Sequence, residues 1–175
     1  MIAIRTLLTL TLLLGVGYPL AVTGLAQLLF PWQANGSQLT NHQQQLIGSA
    51  LLAQKFERAE YFHSRPSASD FATIGGGASN LGLSSPLRAE FAKEMAKVQD
   101  KDPSPAMLTR SASGLDPHLP LDAVLAQVER VAKERGLDPA LLTNRVKSVT
   151  QAGILGPQVV NILQLNLQLD KDKHA

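Results

Sequence analysis

The sequence predicts an α+β fold: a single N-terminal transmembrane helix followed by one mixed, helix-rich extracytoplasmic domain. Three observations carry that prediction. Thr6 to Phe30 is a run of 25 residues without a charge. The 143 residues beyond Trp32 alternate helix-period apolar stripes with turn clusters, and they suffice for one ordinary domain with a core of its own. Charge is lopsided about the apolar run, with Arg5 before it and no Lys or Arg after it until Lys55.

A helix over residues 6–30 reaches roughly 37 Å, enough to cross a ~30 Å hydrocarbon layer with some tilt. A lone segment in lipid must satisfy its own backbone hydrogen bonds, so it must be helical. Gly15, Gly17 and Pro19 weaken its middle, a defect best tolerated where a neighbouring helix covers it. A cleaved signal peptide, cut after Ala26, is the competing reading. Its apolar core runs only about 7–15 residues, whereas here apolar sequence continues through Leu28, Leu29 and Phe30. Positive charge stays in the cytoplasm, so residues 1–5 are expected inside and the bulk of the chain outside. Phe30 and Trp32 then fall at the outer interface, and Pro31 is expected to end the helix.

Residues 31–45 are polar and turn-rich, with Asn35-Gly36 a strong turn signal, and read as a linker to a domain at 46–175. Residues 46–54 (LIGSALLAQ) are a buried strand or a short helix, and periodicity does not separate the two. Phe56 to Ala68 is extended or turning chain, since Pro66 keeps Arg65 out of the α region. Gly75-Gly76-Gly77, Ser79-Asn80 and Ser84-Ser85 make a loop. Ser85-Pro86 opens a helix to about Gln99, with Leu87, Phe91, Met95 and Val98 on one stripe. Met107 to Thr109 is expected to be a short strand. A helix is predicted from Leu121 to Arg135, with Val124, Leu125, Val128, Val131 and Ala132 on one face and Gly136 as its stop. Asp138-Pro139 caps another to about Val149. In residues 159–170 (VVNILQLNLQLD) leucines alternate with amides like a strand, yet leucine and glutamine are good helix formers, and helix is favoured.

Composition excludes several function classes. The chain has no cysteine, so neither disulfides nor thiolate metal sites are available. A net charge of +2 without any basic run, and 5% aromatic residues, speak against nucleic acid. His42, His63, His118 and His174 show no metal-ligand spacing. The glycine run lacks the Lys-Ser or Lys-Thr pair of a phosphate-cradling loop. His63, Asp116 and Ser111 or Ser113 would make a hydrolase triad only with a geometry that spacing does not show, and no Gly-x-Ser-x-Gly elbow is present. No catalytic or metal residue is therefore expected. Asn35, Ser37, His63, Arg65, Ser67, Asn80, Ser111, Ser113, Asn161 and Asn166 instead sit in turn-rich or apolar surroundings, where they tie loops together or face a partner.

Several stretches carry a family resemblance: Tyr18-Pro19-Leu20, FPWQANGS (30–37), GSALLAQKF (48–56), YFHSRPSA (61–68), SNLG (79–82), SASGLDPH (111–118), RVAKERGL (130–137) and VVNILQLNLQLD (159–170). In unbroken order they resemble the KdpC family, which belongs to the bacterial Kdp potassium-transporting P-type ATPase complex. Two places depart from it: the Arg65 to Ser79 loop is short and lacks a Tyr-Asn pair, and Leu155-Gly156-Pro157-Gln158 has no acidic residue between glycine and proline. The resemblance implies a non-catalytic inner-membrane accessory subunit, needed for assembly and acting as a catalytic chaperone that raises the pump subunit's affinity for ATP. It implies as partners a channel-like potassium-binding subunit, an ATP-hydrolysing pump subunit and a small single-helix subunit, with membrane lipid and no nucleic acid. ATP is implied by the resemblance alone, and no tightly bound cofactor is expected. The motifs add Tyr18, Pro19, Trp32, Phe62, Pro66 and Asp116 to the candidate partner-contact or loop-fixing residues. Other readings remain open: a membrane-tethered hydrolase using His63, an exported binding module released after Ala26, and a domain on the cytoplasmic side.

Overall fold

The computed structural model describes residues 1–41, 43–74, 77, 81–82, 84–98, 104–152 and 156–173. The apolar run forms one helix, α1 (Ile2–Leu29), whose side chains lie open to the surroundings along its length. At Leu13–Gly17 the ladder widens to a π turn, and the Tyr18 N–H reaches back to the Leu13 carbonyl. Pro19 follows directly. Its ring would crowd the carbonyl four residues earlier, and a widened turn relieves that contact.

The long helix stops just before Pro31, as expected. Phe30 already leaves the helical region, with φ −137° and ψ 57°, as a residue before proline tends to do. Pro31 then opens a one-turn helix, α2 (Pro31–Ala34), where its missing N–H costs nothing. The segment read as a linker is also more ordered than its composition predicts. Gly36 at φ +80° and Ser37 at φ +49° turn the chain into β1 (Gln38–Thr40), which pairs antiparallel with β2 (Leu46–Ser49). Asn41 closes the hairpin by accepting the Gln43 and Gln45 N–H groups on its side-chain oxygen. Residues 46–54 are thus strand first and turn afterwards.

From Leu51 to Ser85 the described chain holds no helix or strand. Most of the predicted glycine-rich loop, Gly75-Gly76 and Ser79-Asn80, lies outside the described residues. The helix predicted after Ser85 is α3 (Pro86–Val98), and its expected end at Gln99 is likewise outside them. The strand expected at Met107–Thr109 is a turn instead: Met107 N–H bonds to Ser104 O at 2.8 Å and Thr109 Oγ1 to Pro105 O at 3.1 Å. Local bonds to Ser104 and Pro105 bend the chain, and only Met107 enters the core.

The domain's second half builds the core. β3 (His118–Pro120) leads into α4 (Leu121–Leu125) and α5 (Val128–Arg135), followed by α6 (Pro139–Ser148), β4 (Gln151–Ala152), β5 (Gln158–Asn161) and α7 (Ile162–Lys173). The three strands form an antiparallel sheet in the order β3-β5-β4. The helix predicted over 121–135 is therefore two. At Gln127 the ladder tightens, its N–H bonding to Val124 O, while the Gln127 side chain turns inward. The predicted face is otherwise apolar and buried, through Val124, Val128, Val131 and Ala132. With Phe62, Leu119, Leu142, Val146, Val160, Ile162 and Leu165 it makes one contiguous core.

Residues 159–170 divide between both candidate structures, strand to Asn161 and helix from Ile162. The alternating leucines have a physical cause. Ile162, Leu165 and Leu169 belong to the core, while Leu163 is buried beside Gly48 of the hairpin. A helix covered on two sides shows leucine at a spacing that a one-sided helix would not.

Helix ends behave as the sequence requires. Gly136 closes α5 in the left-handed conformation at φ +66°, and Asp138 accepts the Ala140 N–H at 2.8 Å to cap α6. Asp138→Ala is expected to cost about 1 kcal/mol of domain stability, read as a lowered urea midpoint at unchanged slope.

Candidate functional site

Several of the predicted polar residues, His63, Arg65, Ser67, Ser111 and Asn166 among them, lie on or against one strip of irregular chain, residues 58–67, which runs along the core without a strand to pair with. Its backbone groups must find other partners, and side chains supply them. Asn166, fully buried on α7, accepts the Phe62 N–H and donates to the Phe62 carbonyl, both at 2.9 Å. Gln127, at the α4–α5 junction, does the same for the next residue: it accepts the His63 N–H at 2.8 Å and donates to the His63 carbonyl at 3.1 Å. Two primary amides thus imitate a neighbouring strand on either side of the chain.

Guanidinium groups from α5 hold the preceding carbonyls. Arg130 donates to Ala59 O and, at 3.0 Å, to Tyr61 O, while a further nitrogen bonds Gln127 Oε1 at 2.8 Å. Arg135 donates to Glu60 O at 2.7 Å and pairs with Asp170 at 2.9 Å. Asp170 also accepts from the Tyr61 hydroxyl at 3.0 Å, and the Arg135 guanidinium lies 5.0 Å from the Tyr61 ring centre. Burial first, then the Asp170 carboxylate, pushes the Tyr61 phenol above its usual pKa.

The strip continues into the 109–118 loop. Arg65 donates to Thr109 Oγ1 and Arg110 O, each at 3.2 Å, and its guanidinium stands 3.7 Å from Asp116. Pro66 O accepts the N–H of buried Ser111 at 3.0 Å. Ser67 Oγ accepts the Ser69 and Phe71 N–H groups, and Ser113 Oγ the Leu115 N–H. Gly114, at φ +74°, lets these loops touch: a Cβ there would sit 2.8 Å from Ser69 Oγ. Asn161 donates to Ala50 O at 2.7 Å and caps α7 through Gln164 N–H at 3.1 Å. The structure places Ser37, Asn35 and Trp32 elsewhere, at the joint with α1. Tyr18 and Pro19 lie within α1, and Asn80 is outside the described residues.

This arrangement does not assemble a nucleophile. His63 Nε2 faces the Arg58 carbonyl at 3.3 Å, and Asp116 faces Arg65 and the His118 N–H rather than His63. Among the described residues no three His, Cys, Asp or Glu side chains gather as metal ligands. An apolar groove of about 330 Å³ between α5, α6 and α7 is lined by Leu137, Leu141, Leu142 and Leu169 and by none of the predicted site residues.

Comparison with known proteins bears directly on this pattern. The family model of the K+-transporting ATPase c chain, KdpC, matches residues 1–171. The chain belongs to the KdpC family. Among curated relatives, the Potassium-transporting ATPase KdpC subunit of Pseudomonas aeruginosa is 50% identical over 171 residues, spanning 95% of this chain and 93% of the relative. The KdpC protein of Pseudomonas putida is 48% identical over 173 residues, 97% and 94% of the two chains, and that of Pseudomonas syringae pv. tomato 44% over 173 residues, 97% and 91%. The KdpC match covers the apolar helix, the clamped strip and α7 alike.

Sequence reasoning missed Gln127, Arg130 and Arg135 as holders of the strip. A signal was present for Gln127, an amide three residues after Val124 and four before Val131, on the core face of an apolar stripe. Arg135 marks only the end of the predicted helix, because its target, the Glu60 carbonyl, is 75 residues away.

Asn166→Ala leaves the buried Phe62 N–H and C=O unpaired and is expected to cost about 2–4 kcal/mol in urea unfolding; Asn166→Leu, which refills the volume, is expected to recover little of it. A pH dependence follows from His63. Burial, then the Arg130 charge, lowers its pKa, against the opposing pull of the Arg58 carbonyl. The fold thus favours the neutral ring, so its contribution is full above the unfolded value of about 6.5 and is lost as pH falls from there through the lowered native pKa. Unfolding free energy measured from pH 8 to 5 is expected to drop below about pH 6.5, and His63→Gln to flatten that drop.

Proposed function

We propose that the chain is a non-catalytic accessory subunit of a potassium-transporting ATPase complex, anchored by α1 with its N-terminus in the cytoplasm and its domain on the outer face of the cell membrane. The observation that carries this reading is the pairing of a charge-poor 28-residue helix with a domain whose polar side chains hold its own chain in place. In such a domain the candidate catalytic groups, His63 and Asp116 among them, are committed to structural partners.

The anchor and domain are coupled rather than loosely tethered. Trp32 Nε1 donates to Gln38 O at 3.1 Å, Asn35 donates to Gln27 Oε1 at 3.1 Å, and Ser49 Oγ donates to Gly36 O at 2.7 Å. A helix packed against partner helices then fixes the domain's position above them. The resemblance supplies the partners: a channel-like potassium-binding subunit, a pump subunit and a small single-helix subunit. The relatives' names, each a potassium-transporting ATPase subunit, support that assignment. In this reading any gain in the pump subunit's ATP affinity is exerted through assembly, since the domain and ATP lie on opposite sides of the membrane.

Deleting residues 1–30 is expected to abolish co-purification with the pump subunit and potassium uptake at micromolar potassium. Full uptake with the truncated domain would refute the proposal. Protease digestion of spheroplasts checks the orientation, with cleavage of the domain from the outer face expected.

A further inference from the structure

Resting on the reading of α1 as a membrane anchor, we propose that the Ser49–Leu52 turn is a second membrane contact, with Leu51 seated in the phospholipid headgroup–acyl boundary beside Phe30 and Trp32. The hairpin register places it there. Gln38 pairs with Ser49, the Ala50 N–H bonds Ser37 O at 2.9 Å and Ser49 Oγ reaches Gly36 O at 2.7 Å, so the turn that carries Leu51 begins beside Gly36. That is one residue beyond Asn35, which is itself hydrogen-bonded to Gln27 of α1. β2 therefore returns to the level at which α1 leaves the bilayer, and there it reverses, the Leu52 N–H closing the turn on Ser49 O at 3.2 Å.

The tip is apolar and open. Leu51 is 60% exposed, Phe30 58% and Trp32 47%. The opposite end of the hairpin is polar through its turn, with Asn41, Gln43, Gln44 and Gln45, and the exposed apolar side chain there, Leu46, has no aromatic neighbours like Phe30 and Trp32 in that turn. No Asp, Glu, Lys or Arg occurs between Arg5 and Lys55, so the hairpin brings no fixed charge to the bilayer surface. Continuity with the apolar helix, the polarity gradient along the hairpin and the absence of charge together fit a lipid boundary. The turn is also held rigidly from the domain side, Asn161 donating to Ala50 O and Ala53 N–H to Leu115 O at 2.9 Å. A seated Leu51 would thus orient the whole domain relative to the bilayer.

The chain has no cysteine, which makes the test direct. Leu51→Cys, Gln43→Cys and Leu14→Cys are each labelled with NBD in the full chain. They are reconstituted into phosphatidylethanolamine–phosphatidylglycerol vesicles containing 5-doxyl phosphatidylcholine, with and without the partner subunits. We expect the label at 51 to be quenched by the lipid nitroxide at least threefold more than at 43, and shielded from aqueous iodide, in both preparations. Equal quenching at 51 and 43, with strong quenching at 14, overturns the lipid contact and leaves the anchor standing. Shielding at 51 that needs the partner subunits and comes without lipid quenching overturns it in favour of a protein seat. Absence of quenching at 14 removes the anchor reading, and this proposal with it.

Discussion

The domain depends on a strip of backbone that packs against the core without belonging to a sheet. Each buried N–H and carbonyl left unpaired there would cost of order 1–3 kcal/mol, comparable to a sizeable part of a domain's total stability. Asn166 and Gln127 supply paired bonds to Phe62 and His63, and Arg130 and Arg135 take the carbonyls that precede them. Because those four side chains come from α4–α5 and α7, the strip also fixes the helices relative to one another. Phe62, fully buried, then fills the space that the clamps define.

The same economy of partners governs the joint with α1. A polar segment after an apolar helix would ordinarily swing freely, yet Asn35 bonds back to Gln27 of α1, Trp32 of α2 bonds Gln38 of β1, and Ser49 of β2 bonds Gly36 between them. The π turn at Leu13–Gly17 lies far from this joint, in the middle of α1. The helix is therefore irregular where a neighbouring helix can cover the defect and well tied where it meets the domain. Membership of the KdpC family fits a chain of this kind.

Much of this was legible in the residues, and the exceptions have identifiable causes. The charge-free run, the Ser85-Pro86 and Asp138-Pro139 starts and the Gly136 stop are local signals, and each is found where the sequence puts it. Ambiguity at 159–170 arose because α7 is buried on two sides, which gives its leucines a strand-like spacing. The break at Gln127 was hidden because an inward-facing amide makes sense only once His63 is known to need it. The polar residues of the YFHSRPSA and SASGLDPH stretches could be picked out, but whether they face a substrate, a partner or each other depends on contacts across tens of residues. Pro31 terminates α1 as expected, through its effect on Phe30, and only the one-turn helix that it then opens goes beyond that expectation.

The separation of the clamp's two halves bears on how the molecule is made. Phe62 waits for Asn166, Ala50 for Asn161 and Tyr61 for Asp170, all more than 100 positions later in the chain. A ribosome that has released the first 150 residues has delivered Gln127, Arg130 and Arg135 but not Asn161, Asn166 or Asp170, so the strip stays only partly fastened until synthesis is nearly complete. Under the proposed export of the domain, such a delay keeps the segment after α1 threadable for as long as it must be moved. It also makes α7 a checkpoint: a product terminated before it lacks Asn166 and Asp170 and stays more open to proteases.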